Sequence, residues 1–407
     1  MEVETMANDL SFNQVATILN SLQNQATGAA NITATDTSSF VAAATTTLKT
    51  GYEQVYRAIA AVLGRTIFSI RPYSAKLRAM EVSDTQFKLH TRKLQISDNS
   101  FDDNEAVKGP VHYDAGQSPA DGDGQSVDQQ KIKKAKPLQT NFYGMNTFQD
   151  EYTIFDEQLE VAFSSPEELG MFWTMITQNI SDRFEQAREN SARAILSNMA
   201  GSCAALNDGG RVIHLLTEYN ARTGLSLTTT TVYDPQYFPD FVRWVFGRVA
   251  AISSLMTERS TKFQTTITGS PIQRHTPKAN QRLYIYAPEE MQMRSNVLAT
   301  TFNDQFLDLG SHEMVNFWQS INTPDGINVI PGYINNAGAA TVHGSAVTFT
   351  GLFGILMDEE AGGYSRLRYS IKPAPYNARG DYQNFWLKEY HKLYMDNTEK
   401  IVLLVLD

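Results

Sequence analysis

The strongest periodic pattern in the chain lies between residues 165 and 200. Leu169, Phe172, Trp173, Ile176, Ile180, Phe184, Ala187, Ser191 and Ala194 recur at steps of three and four, which lays one apolar stripe along a helix. Ser165 is placed to cap its start, Pro166 suits the first helical position, and Glu168 completes a Ser-x-x-Glu capping box beside Glu167. Gly201 offers a stop. The predicted helix over 166–200 is on the order of 50 Å long, several times the usual length of about 11–12 residues. Its stripe thins from Phe and Trp to Ala and Ser, so it expects a thick partner at one end and a close neighbour at the other. The opposite face carries Glu185/Arg188 and Glu189/Arg193 at helical spacing.

Upstream, Phe12, Val15, Ile18, Leu19 and Leu22 share one helical face that ends at Gly28. An amphipathic arm of this kind needs a surface to cover its stripe, either its own domain or a neighbouring subunit. A Thr-rich connection leads to a second helical stretch over 40–64, for which Asp36 and Ser38 are candidate caps. The period then changes from helical to alternating over 76–97 and again over 139–163, as in strands. Between them, residues 98–136 are rich in Gly, Pro, Asp and Ser, the composition of a projecting hairpin with a polar tip.

After the long helix, LSLTTTTVY (225–233) predicts a strand, and a helix opened by Pro239 carries Phe241, Trp244, Val245, Ile252 and Leu255. A polar linker, 258–281, marks a domain boundary. Beyond it come a strand at RLYIYA, a helix at PEEMQMRSNVLA opened by Pro288, and strands at GINVIPGY, VTFTGLFGILMD, SRLRYSI, QNFWLKEYHKLYM and EKIVLLVL. No period repeats. The order predicts an α+β protein with no doubly wound sheet.

Composition narrows the function classes. The 407 residues are 42% hydrophobic, ample for a core. Lys and Arg total 34 against 44 Asp and Glu, a net charge of −10, which argues against a dedicated nucleic-acid binder and permits only weak, non-specific contact with double-stranded DNA. A single cysteine, Cys203, excludes an internal disulfide and fits a reducing cytoplasm. No window reaches the roughly 18 apolar residues of a membrane span.

Candidate chemistry is sparse. His90, His112, His214, His275, His312, His343 and His391 are too dispersed to share a helix turn, so no metal or haem set is expected. Asp121 and Asp123 resemble the start of a calcium loop, but Ile132 stands where its bidentate carboxylate is required. Asp358, Glu359 and Glu360 invite an acid/base reading, as in a hydrolase, yet adjacent positions point in different directions and Gly362–Gly363 mark a loop. No P-loop, GxGxxG or GxSxG occurs. The basic run KIKKAK, with Lys131, Lys133, Lys134 and Lys136, lacks interleaved aromatics and suits an acidic protein surface. No catalytic, cofactor-binding or metal-binding residues are assigned, and the chain is expected not to be an enzyme.

The succession of helical arm, long hairpin, very long helix, second helix and α+β domain resembles the Hong Kong 97-type major capsid protein of tailed bacteriophages. The passages that carry the resemblance are EVAFSSPEELGMFWTMITQ, INTPDGINVIPGY with VTFTGLFGILMD, and FWLKEYHKLYMDNTEKIVLLVLD. The resemblance implies an N-terminal arm over 1–66, an E-loop hairpin over 67–160 with its tip at 98–137, and a P-domain over 161–260 containing the spine helix 166–200. It further implies an A-domain over 261–380 and returning strands over 381–407.

The implied function is that of a virion subunit, assembled in the host cytoplasm into hexamers and pentamers of an icosahedral shell around the genome. Scaffolding and portal proteins are the implied partners, and no cofactor is implied. Phe12, Val15, Ile18, Leu19, Leu22, Lys131, Lys133, Lys134 and Lys136 are the expected subunit contacts. Some relatives crosslink through an E-loop lysine; Lys108 and the four lysines of the basic run are candidates by location, and none is assigned. An encapsulin-like nanocompartment shell is the alternative of the same fold.

Overall fold

The computed structural model describes residues 12–28, 33–66, 75–82, 90–98, 130, 134, 136–143, 145–298, 312–341 and 344–407. They divide into two compact units, each built from stretches far apart in sequence.

The first unit holds residues up to 90, 143–197 and 362–395. Three helices open it: α1 (Phe12–Thr27), α2 (Thr37–Lys49) and α3 (Tyr52–Thr66). Asp36 starts α2 by accepting the Ser39 N–H at 2.8 Å, and Ser39 answers with its hydroxyl at the Asp36 N–H, 2.9 Å away. Those hydrogen bonds, the backbone N–H of Ser39 first, lower the Asp36 carboxyl to about 2. Next come β3 (Asn146–Phe155), the short helix α4 (Asp156–Ala162) and the long helix α5 (Pro166–Leu206), whose residues up to 197 belong to this unit. β12 (Gly362–Pro373) and β13 (Tyr382–Met395) complete an antiparallel sheet ordered β12-β13-β3. The α5 stripe Leu169, Trp173, Ile176, Ile180 and Phe184 is buried in one core with α1 to α3, Ile154, Leu159, Phe385 and Leu387.

The second unit is centred on a five-stranded sheet, ordered β4 (Val212–His214), β14 (Ile401–Val405), β11 (Leu352–Asp358), β5 (Gln281–Tyr286), β6 (His312–Val315). The outer pairs β14/β4 and β5/β6 are parallel and the inner ones antiparallel. At Gly354 a side chain would stand 2.8 Å from the Tyr284 carbonyl, so only glycine lets β11 run this close to β5. Helices α6 (Leu215–Thr223), α7 (Phe238–Thr257) and α8 (Ala287–Leu298) belong to the same unit, and Leu216, Phe241, Val245, Ile252 and Met293 form its core with Ile285, Leu356, Val402 and Leu404. Small ribbons pair β7 (Ile327–Val329) with β10 (Val347–Phe349) and β8 (Tyr333–Ile334) with β9 (Ala340–Thr341). A further two-stranded ribbon joins β1 (His90–Ile96) and β2 (Pro137–Tyr143).

Four local expectations change. The long helix passes through Gly201 to Leu206; glycine stands there as a packing residue and not as a stop, because Val329 and Pro331 leave no room for a side chain. Residues 225–233 make a turn and a short 3-10 helix instead of a strand: the Thr228 and Thr231 hydroxyls accept each other's backbone N–H at 3.2 and 2.8 Å, a local bond that competes with strand pairing. The alternating run 139–163 divides into β2, β3 and α4, with Gln158 Oε1 accepting the Phe155 N–H where the helix begins. The Glu/Arg pairs of α5 form, but Glu185, Glu189 and Arg193 are buried rather than solvated.

Candidate assembly surfaces

The arm stripe is already covered. Val15, Leu19 and Leu22 are buried in the first unit's core, and Phe12 and Ile18 pack partly buried against it. Within one chain, these five side chains take part in their own unit's packing. α1 lies against α3 and α2, and the Asn20 side chain holds the Ala34 N–H at 2.9 Å, which fixes the return of the chain.

The basic run begins outside the described residues: Lys131 and Lys133 fall there, as do Lys108 and most of the hairpin tip. Lys134 and Lys136 are exposed. Lys136 reaches the Gly269 carbonyl at 3.4 Å, and its own carbonyl accepts the Ser97 N–H at 3.0 Å, which closes the ribbon at its mouth. Asp98 fixes that mouth to the second unit. Its N–H donates to the Pro271 carbonyl at 2.8 Å, its carboxylate accepts the Gln273 N–H at 2.6 Å, and Arg259 pairs with it.

The ribbon has two unlike faces. On one, Lys93 lies among Asp396 at 3.2 Å, Glu360 at 3.3 Å and Glu399. Arg274 also pairs with Glu399 and donates to Gln95 Oε1 at 2.7 Å and Thr398 Oγ1 at 2.9 Å. Burial by itself would lower the Lys93 ammonium, but Asp396 and Glu399 more than offset it and hold it above its ordinary value. On the other face Arg92, Leu94 and Ile96 are exposed, the last two by 58% and 64%. Alternation along a strand produces this division, and it leaves an apolar, basic strip turned outward.

A second buried ion cluster stands in the first unit. Arg188 on α5 donates to both oxygens of Glu389 on β13, at 2.8 and 3.0 Å, and also pairs with Glu185. Glu185 accepts the Ala75 N–H and the Arg78 guanidinium, each at 3.0 Å, and Glu189 accepts the Lys76 N–H at 3.2 Å. Burial pushes both Glu185 and Glu389 up, yet the Ala75 amide and Arg188 on one, and His391 and Arg188 on the other, bring each carboxyl below its ordinary value. No sequence signal marked this cluster as buried, because the Glu/Arg spacing also suits an exposed helix face.

Asp358, Glu359 and Glu360 do not converge. Asp358 is buried and accepts from Thr276 Oγ1 at 2.6 Å, Glu359 meets Asn280 and Arg282 at 2.6 and 2.8 Å, and Glu360 turns to Lys93. Asp358 thus sits at the end of a buried strand and not in the solvated loop expected of it. Among the described residues no three metal-ligating side chains cluster. Nor is any helix there long and apolar enough to cross a membrane.

A long helix packed with a three-stranded sheet, a ribbon with one exposed face and an α+β unit are the features of a structural protein rather than of a catalytic site, and the family match gives the class: a phage capsid protein. Residues 15–405 match the sequence profile of the Phi29-like phage major capsid protein, and the chain belongs to that family. It is a major capsid subunit, a structural component of the virion that assembles with copies of itself. A search of curated proteins finds no match.

Among solved structures, the chain is similar to one in the structure of the head fiber and inner core protein gp22 of native bacteriophage P68. The TM-score is 0.51 at 11% identity, covering 83% of this chain and 86% of that one. It is also similar to a chain in the capsid structure of Staphylococcus phage Andhra, with TM-score 0.47, 12% identity, and 82% and 85% covered. At such identities the likeness to the P68 chain concerns the fold, which is mixed helix and sheet and consistent with the Hong Kong 97 type.

Proposed function

We propose that copies of this chain close into an icosahedral shell of six- and five-membered rings that encloses double-stranded DNA, built in the host cytoplasm with scaffolding and portal proteins. In this reading residues 1–66 act as the N-arm, the β1–β2 ribbon as the stem of the E-loop, α5 as the spine, 261–380 as the A-domain and 381–407 as the returning strands. The observation that carries it is the ribbon. Its inner face is fixed by Lys93 and its mouth by Asp98, while Leu94 and Ile96 stay exposed, so its outer face is left for a neighbouring copy. The net charge of −10 fits a wall that contacts packaged DNA weakly and non-specifically.

Electron microscopy of the expressed chain, alone and with its scaffolding protein, tests the proposal: closed particles of uniform diameter are expected. Changing Lys131, Lys133, Lys134 and Lys136 together to Glu should slow assembly and make particles salt-fragile, since each exposed pair contributes about 0.2–1 kcal/mol and is repeated at every interface. A chain that stays monomeric under all conditions, or open sheets in place of closed particles, overturns the proposal.

A further inference from the structure

The sheet β12-β13-β3 has two faces of different chemistry. Phe385, Leu387 and Glu389 of β13 turn inward, the first two in the apolar core with α5 and the third to Arg188. By alternation, Trp386, Lys388 and Tyr390 turn the other way and are partly buried. The register sets Lys372, Ser370 and Arg368 of β12 beside them on one side, and Glu151, Gln149 and Thr147 of β3 on the other. Arg368, Lys372 and Glu151 are exposed. Three cations to one carboxylate thus share this face, in a chain whose overall ratio is 34 to 44. Among the described residues neither Lys372 nor Lys388 is paired with a carboxylate. Arg368 lies over the Tyr390 ring, 4.2 Å from its centroid, which fixes where its guanidinium stands. Two residues of strand advance about 7 Å, so Arg368, Lys388 beside Ser370, and Lys372 step along the sheet at about that interval.

We propose that this face is where the shell wall meets the packaged double-stranded DNA, with Arg368, Lys388 and Lys372 on neighbouring phosphates of one strand. The inference rests on the encapsidation read above and names the surface that serves it. Charge selects the occupant. A polyanion is repelled by most of an acidic subunit and gains only at a cationic patch, where it releases its counterions. Trp386 and Tyr390 are partly buried and floor the patch instead of offering open rings to unpaired bases, which favours a duplex over a single strand. Contacts confined to phosphate carry no sequence information, as holding a whole genome requires.

Amine labelling tests the assignment. Lys372 and Lys388 should react with an acylating reagent in the free subunit and in particles emptied of DNA, and should be protected severalfold in DNA-filled particles, read by mass spectrometry of their peptides. Protection already complete in empty particles, as a neighbouring copy seated on this face would give, overturns the inference. So does equal reaction in filled and empty particles, as an outward face would give.

Salt dependence supplies the second measurement. Arg368→Gln, Lys372→Gln and Lys388→Gln together should lower the slope of log affinity against log salt, for the free subunit on a short duplex, by about 0.9 per cation removed. The subunit's melting temperature should hold. Arg222→Gln, Arg243→Gln and Lys278→Gln make the same change of net charge at exposed positions of the second unit and should leave the slope unchanged. A subunit that binds no duplex at low salt, a sheet variant that keeps the parent slope, or a control that loses as much, counts against the face. If the unaltered chain forms no DNA-filled particles, the encapsidation reading itself fails, and this is seen before any labelling.

Discussion

The two buried ion clusters use the same chemistry in different settings. In the first unit, Arg188, Glu185 and Glu389 join a helix to a sheet that already share Trp173, Ile176, Phe184 and Phe385 in one apolar core. In the second, Lys93 and Arg274 hold a two-stranded ribbon whose exposed face carries Leu94 and Ile96. A pair of strands alone is marginal in water, so there the ions are a main tether. In the core they select one register of packing, because a buried charge tolerates few arrangements.

The contrast is open to direct attack. Arg188→Met strips the buried Glu389 of its guanidinium and leaves Glu185 to Arg78 and the Ala75 amide, and should cost about 3–5 kcal/mol, read as a lower denaturation midpoint of the subunit. The same cluster sets an acid limit. Glu185 and Glu389 titrate below their ordinary 4.5 when folded, so their contribution is full above 4.5 and is lost as pH falls through the lowered values. Glu389→Gln should flatten that part of the stability profile. Leu19→Ala, in the apolar part of the same unit, should cost about 2–5 kcal/mol at every pH, which separates core packing from charge.

Lys93→Met should cost about 1.5–3 kcal/mol, less than Arg188→Met because Arg274 still meets Glu399. Its signature is local: faster hydrogen exchange at 91–96 with little change in global melting. The smallest effect is expected for Asp36→Ala. Fraying of α2 should appear by circular dichroism, and the variant should lose the acid transition that Asp36, at about 2, gives the parent chain as pH falls towards that value.

Much of the architecture was legible because it is locally encoded. Ser165, Pro166 and Glu168 announce the start of α5, and the Glu168 N–H indeed donates to Ser165 Oγ at 3.2 Å. Its end was not legible, since a helical Gly201 is explained only by Val329, more than a hundred residues away. The same limit hides the interleaving of the units. β3 pairs with β13 through register such as Phe148↔Glu389, and alternation along either strand says only that it has two faces, not who its neighbour is. The stripe of α1 showed that a cover was needed; that its own unit supplies one is a matter of tertiary packing, which local periodicity does not encode. The buried Glu185 and Glu189 escaped notice because their partners, the amides of 75 and 76, carry no side-chain signal.

β14 lies inside the second unit's sheet, between β4 and β11, and every residue of Ile401–Val405 is buried. Its neighbours leave the ribosome before it does, so during synthesis the sheet has a gap between β4 and β11 and its helices have no finished surface to cover. Strand pairing between distant segments is slow to close in any case. This unit therefore closes its sheet only once residues 401–405 have been made, and a chain interrupted before them leaves β4 and β11 without the strand that joins them.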